Sequence, residues 1–241
     1  MKLTQLIVLR GFLKPLYCFL LFLFIAFPAL AQNSEQDTRL GTALMLDLEK
    51  KLIRNLTAAF EGEVRLVNNQ VGFDRTSATI GLDYKFFNQK AKIGGAYAFI
   101  HLYNNDFLFE SRHRYYLNLT YKESIKAFTV SWRGRLQGTY RNENRDRYKI
   151  NPKYVMKNKV EASYSIFGSP WTPYLSCDFS TVLNDPMLNG YGLTRLRFTG
   201  GTSWRINRNN YLDLFLRYDR ELDRRDPNTI SLGIGYKINI L

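Results

Sequence analysis

The residues of this sequence that could do chemistry are mostly arginines. Three pairs at i, i+2 spacing, Arg112/Arg114, Arg133/Arg135 and Arg195/Arg197, recur in the chain together with Arg65. Residues two apart on a strand share a face, so each pair sets two guanidinium groups on one wall. Guanidinium stays charged and offers a rigid fork of donors suited to carboxylate or phosphate. Such walls form an electropositive track for an acidic solute, or they are neutralised by Glu61, Glu63, Asp83, Glu161 and Asp213 and fill the interior. The sequence leaves both readings open.

Nucleophilic and metal chemistry find less support. A lipid-cutting site needs His beside Ser with an orienting polar group, and the only histidines are His101 and His113. Ser111 lies two residues before His113 and shares its face, but the Ser-Asn-Gly-rich surroundings of barrel lipases and deacylases are missing. Two His and, once a signal peptide is removed, one cysteine, Cys177, with scattered carboxylates give no metal-ligand spacing. We expect a non-enzymatic protein with no catalytic residue, no metal and no cofactor.

The elements that would carry these arginines alternate with period two. Ala78, Ile80, Leu82, Tyr84 and Phe86 alternate with Ser77, Thr79, Gly81, Asp83 and Lys85; Phe128, Val130, Trp132 and Leu136 alternate with Thr129, Ser131, Arg133, Arg135 and Gln137. The final segment sets Ile230, Leu232, Ile234, Tyr236, Ile238 and Ile240 against Ser231, Gly233, Gly235, Lys237 and Asn239. About eleven such segments begin near residues 42, 56, 75, 91, 111, 126, 153, 172, 193, 210 and 229, with no amphipathic helix between them. Tight connections alternate with longer polar ones, as short periplasmic turns alternate with external loops in a membrane barrel.

The chain has 241 residues and is 45% hydrophobic. Lys2, Arg10 and Lys14 precede an uncharged stretch from Leu16 to Ala31 that ends in Ala29-Leu30-Ala31. That is the pattern of a secretory signal peptide cleaved after Ala31, leaving residues 32–241 as one barrel domain with Cys177 as its single cysteine. A formal charge of +13 would suggest nucleic acid for a cytosolic protein, but export removes that partner.

A soluble sandwich also has one apolar face per strand. Long strands, 15% aromatic residues placed near turns (Phe86, Phe87, Tyr103, Tyr140, Tyr154, Phe167, Trp171, Tyr174, Tyr211) and charges at mid-strand favour a membrane. The expected fold is all-β: a transmembrane up-and-down antiparallel barrel in the outer membrane. Even strand numbers are the rule for single-chain bacterial barrels, so about 12 strands are expected, with 10 as the fallback and residues 33–55 as the uncertain region.

The sequence also resembles an uncharacterised family of outer-membrane barrels from Gram-negative bacteria, catalogued as a domain of unknown function. The resemblance rests on Glu49-Lys50-Lys51-Leu52, Gly62-Glu63-Val64-Arg65, Arg112-His113-Arg114, Arg133-Gly134-Arg135-Leu136-Gln137, Pro173-Tyr174-Leu175-Ser176 and Arg195-Leu196-Arg197. It implies fold and location and transfers no functional residue. The expected partners are membrane lipid and lipopolysaccharide. A small anionic solute joins them if the arginines form an open track, by analogy with twelve-stranded porins for acidic oligosaccharides.

Overall fold

The structure, a computed structural model, describes residues 38–68, 72–103, 109–141, 150–185, 190–222 and 227–240. The expected signal peptide, the segment up to residue 37 and the tips of the longer loops lie outside these residues. Among the described residues there are eleven strands and no helix: β1 (Thr38–Lys51), β2 (Leu56–Val67), β3 (Arg75–Phe86), β4 (Ala91–Tyr103), β5 (Phe109–Ile125), β6 (Phe128–Arg141), β7 (Lys153–Tyr164), β8 (Trp171–Asp185), β9 (Gly190–Arg205), β10 (Asn210–Glu221) and β11 (Asn228–Ile240). They close into one barrel in which each strand pairs with its neighbours in sequence and β1 meets β11.

The strand number is a correction. Among the described residues the eleven alternating segments are the eleven strands, one fewer than the expected twelve, and no further strand stands beside them. Hairpins reverse the chain at every turn, so an odd count leaves the first and last strands running the same way. The barrel therefore closes through a parallel seam, with Thr38 opposite Asn228 and Lys50 opposite Ile240. Parallel pairing with evenly spaced, slanted bonds is compatible with a continuous sheet. The register puts Leu40, Leu44 and Leu46 beside Ile230, Ile234 and Tyr236, so the apolar faces of both strands coincide. Consequently Thr38 stands at the end of the barrel with the longer loops and Ile240 at the end with the short turns, not on one side together.

Alternation fixes what each strand presents outward. Leu44, Ile80, Leu82, Leu117, Leu136, Leu232 and Ile234 are exposed on the outside, forming an apolar surface far too extensive for a water-soluble monomer. At the short-turn end Trp171 stacks on Trp204 with ring centroids 5.4 Å apart, and Phe128 lies 4.7 Å from Tyr164. Tyr103 and Phe109 pack near the opposite end. Tyr174 departs from the expected aromatic girdle, because its hydroxyl donates to Asp213 Oδ2 at 2.8 Å inside the barrel.

Two glycines are needed by close approach. A Cβ on Gly94 would run into the Asp83 carboxylate, and one on Gly233 would run into the Phe215 ring. The inward face of β4 is itself apolar, with Ala98 and Ile100 packed with Tyr116 of β5. At the short-turn end Lys90 bonds Glu123 at 2.7 Å and ties the β3–β4 turn to the end of β5.

Candidate functional site

The inward faces of the strands form a charged lumen, and register sorts its charges into rows. Following cross-strand partners, one row runs Asn118 of β5, Arg135 of β6, Lys157 of β7, Ser180 of β8, Arg195 of β9 and Glu221 of β10. The row two residues along runs Thr120, Arg133, Lys159, Asp178, Arg197 and Asp219. The second row alternates cation and carboxylate toward its β10 end. The first places three cations among polar neighbours and meets a carboxylate only at that end.

Each cation of the alternating row has an acid. Arg197 ion-pairs with Asp219 through both sides of its guanidinium, Arg133 lies 3.8 Å from Asp178, and Lys159 is 2.7 Å from Glu161. Nearby, Glu63 accepts from Arg65 at 2.9 Å and from Arg217 at 3.3 Å. That contact joins β2 to β10 across the parallel seam, so the sector of β9, β10, β11, β1 and β2 is bridged by charge-assisted bonds. The Arg217 guanidinium also stacks 4.8 Å from the Phe215 ring. Arg112 bonds Glu110 at 2.7 Å, and Arg195 reaches Glu221 at 3.4 Å.

The opposite sector is different. Arg135 donates to Asn118 Oδ1 at 2.7 Å and lies 3.9 Å over the Tyr116 ring, with no carboxylate among the described residues at bonding distance. Arg114 donates to Thr139 Oγ1 at 3.1 Å; the charges bearing most on it are Arg75, Arg195, Arg135 and Arg112. Lys157 has no hydrogen-bond or ion-pair partner among the described residues, and the charges bearing most on it are Arg195, Arg114, Arg197 and Arg135. A half-buried ammonium facing four cations is unfavourable unless an anion joins it.

The neutralisation expected from Glu61, Glu63, Asp83, Glu161 and Asp213 is largely replaced by another set. Glu63 does hold Arg65, but Asp83 pairs with Lys92 at 2.9 Å and Glu161 with Lys159, while Asp213 accepts from Tyr174. Glu61 has no ion-pair partner among the described residues. The arginines are instead held by Glu110, Asp178, Asp219 and Glu221. Asp219 and Glu221 escaped the sequence reading because their partners, Arg197 and Arg195, lie on the neighbouring strand and only register reveals them, and Glu110 shares β5 with Arg112 at i, i+2 spacing. The i, i+2 signal names residues on one wall and says nothing of which row each joins.

The histidines sit on the outer face. His101 Nδ1 is 3.2 Å from Ser111 Oγ, and His113 Nδ1 is 2.7 Å from the Tyr97 hydroxyl. Ser111 therefore meets His101, its partner in register, and not His113. No carboxylate among the described residues orients either imidazole. No group of three or more His, Cys, Asp and Glu among the described residues could hold a metal.

Comparison with known proteins gives one family and several folds. A sequence profile described as protein of unknown function (DUF2490) matches residues 41–231. No curated protein matches the chain. Among solved structures, the NanC porin aligns at 12% identity and a TM-score of 0.54, covering 84% of this chain and 98% of its own. The KdgM porin in complex with disordered oligogalacturonate aligns at 8% identity and a TM-score of 0.44, covering 77% and 92%. The β domain of the Bordetella autotransporter BrkA gives 11% and 0.44, covering 76% and 82%. At these identities the likeness to the NanC porin concerns the fold.

Proposed function

This chain belongs to the DUF2490 family of proteins of unknown function, and we propose that it is a non-enzymatic outer-membrane barrel whose lumen binds small anionic solutes and lets them pass. In this reading a signal peptide ending at Ala31 exports it, and its apolar exterior faces membrane lipid and lipopolysaccharide. The observation that carries the reading is Lys157. It stands inside the barrel beside its register partner Arg135 and near Arg114 and Arg195, without a carboxylate among the described residues to neutralise it. Retaining like charges in one wall costs stability, and an anion from solution restores the balance.

A second reading, a barrel closed by its own side chains, draws on the Glu63–Arg217 contact that fills the seam side of the lumen. The two readings part in planar bilayers. A conducting lumen gives single-channel steps with anion preference that Arg133→Glu/Arg135→Glu abolishes; a silent bilayer favours the closed barrel.

A further inference from the structure

The outward face of β1 runs Leu44, Leu46, Leu48 and then Lys50, the last but one residue of the strand at the short-turn end. Lys50 is exposed and pairs with no carboxylate among the described residues. Lys51 and Arg54, at the end of the strand and in the turn after it, are likewise exposed and unpaired among the described residues. Between them Leu52 and Ile53 also stand exposed, so this turn offers hydrocarbon and positive charge together. The rim cation Lys90 differs, since Glu123 holds it at 2.7 Å.

Lys50 also lines one end of an apolar groove of about 770 Å³ on the outer wall. Register makes the groove. Lys50 stands opposite Ala58, Ala58 opposite Leu82 and Leu82 opposite Gly95, so two small residues lower the surface along one row. The row beside it, through Phe60, Ile80, Tyr97 and Tyr115, forms a wall of large side chains. From Ile240 of β11 to Tyr115 of β5 the groove crosses six strands, a length of about 24 Å at the usual strand spacing. It climbs as it goes, because Ala58 is the third residue of β2 from the short-turn end, Gly95 the fifth of β4, and Tyr115 lies near the middle of β5. With strands tilted by about 45°, the climb is about 17 Å, close to the roughly 15 Å of hydrocarbon in one leaflet. At the deep end the Tyr97 hydroxyl is already bonded to His113 Nδ1 at 2.7 Å.

We infer that this groove holds one anionic phospholipid, with its phosphate on Lys50 and an acyl chain over Ala58 and Gly95 against the aromatic wall. The inference rests on the membrane reading of the exterior and not on anion binding in the lumen. Any rim lysine can lay its stem along hydrocarbon and raise its ammonium to the headgroups. Lys50 does so at the mouth of a channel that fits the chain of the same lipid. Short turns lie on the periplasmic side of outer-membrane barrels, so the leaflet at this end is one of phospholipid and not of lipopolysaccharide. A zwitterionic headgroup brings an ammonium of its own toward Lys50, Lys51 and Arg54, whereas an anionic one leaves its charge for them.

The test offers the detergent-purified barrel phosphatidylglycerol and phosphatidylcholine with the same acyl chains and counts retained lipid by native mass spectrometry. Wild type is expected to keep one phosphatidylglycerol per barrel, favoured about fivefold over phosphatidylcholine, the order of one lysine facing an anionic headgroup. Lys50→Gln is expected to remove most of that preference, while Lys90→Gln, which deletes a rim lysine already held by Glu123, keeps it. Ala58→Leu/Gly95→Leu fills the floor and is expected to lower retention of both lipids. Gly95→Leu alone, checked by heat-dependent gel migration, covers a double variant that fails to fold. Equal retention of the two lipids by wild type, a preference undiminished in Lys50→Gln, or retention unchanged by a filled floor overturns the inference. A lipid-free dimer that Gly95→Leu breaks overturns it too, by seating a second copy in the groove. A barrel that purifies without detergent as a soluble monomer overturns the membrane reading as well.

Discussion

Arg135 and Lys157 are partners in register on adjacent strands, two inward-facing cations side by side with no described carboxylate bonded to either. Two residues along, Arg133 and Lys159 are also partners, and each has its own acid, Asp178 and Glu161. The lumen thus holds a neutralised row and a cationic row built from the same residue types.

If Lys157 is kept for binding at a cost in stability, its removal stabilises the fold. Lys157→Met is expected to raise the unfolding free energy by about 1 kcal/mol, since an unpaired, half-buried charge is replaced by an apolar chain of similar length. Urea unfolding in detergent or lipid vesicles measures it, and the same variant is expected to lose anion preference.

The paired sector should respond in the opposite sense. Glu63→Gln leaves Arg65 and Arg217 without their carboxylate in the bridge across the seam. Breaking a buried ion pair from one side is expected to cost about 3 kcal/mol. A loss under about 1 kcal/mol in the same unfolding experiment would mean that the bridge does not hold the seam.

Much of the fold was legible in the sequence for a simple reason: period-two alternation reports burial on each strand independently. Ala78 to Phe86 and Ile230 to Ile240 show their outward faces without knowledge of any neighbour. What could not be read is relational. The parallel meeting of β1 and β11, the Arg217–Glu63 bridge and the isolation of Lys157 all depend on which residues stand opposite one another. The even-strand expectation failed because it relied on a habit of barrels, whereas the alternating segments themselves numbered eleven. The candidate site was half legible: the arginines were named, but their acids were mostly assigned to the wrong residues.

The seam can be locked chemically. In a Cys177→Ser background, Leu44→Cys/Ile234→Cys places two thiols on register partners, on strands about 4.8 Å apart and within disulfide reach. Oxidation is expected to cross-link this pair and to leave Leu40→Cys/Ile240→Cys open, since those residues stand toward opposite ends of the parallel seam. The reverse pattern on non-reducing gels after protease cleavage between the strands would require an antiparallel closure.

Gly233 should tolerate little. The Phe215 ring occupies the space a Cβ would need, so Gly233→Val is expected to displace that ring from Arg217 and cost about 2 kcal/mol by overpacking. Heat-dependent gel migration and urea unfolding report it. Gly72, with φ of 71° and nothing near its missing Cβ, is the comparison site where a d-alanine-like constraint matters and packing does not.

The central claim is that pairing, more than the number of charges, sets what the lumen does. Two double variants remove the same charge from adjacent rows: Arg135→Gln/Lys157→Gln and Arg133→Gln/Lys159→Gln. Their KCl reversal potentials in planar bilayers are the direct measurement. The account predicts that the first loses the anion preference of the wild type and the second keeps most of it; equal losses in both, or no anion preference in the wild type, would contradict it.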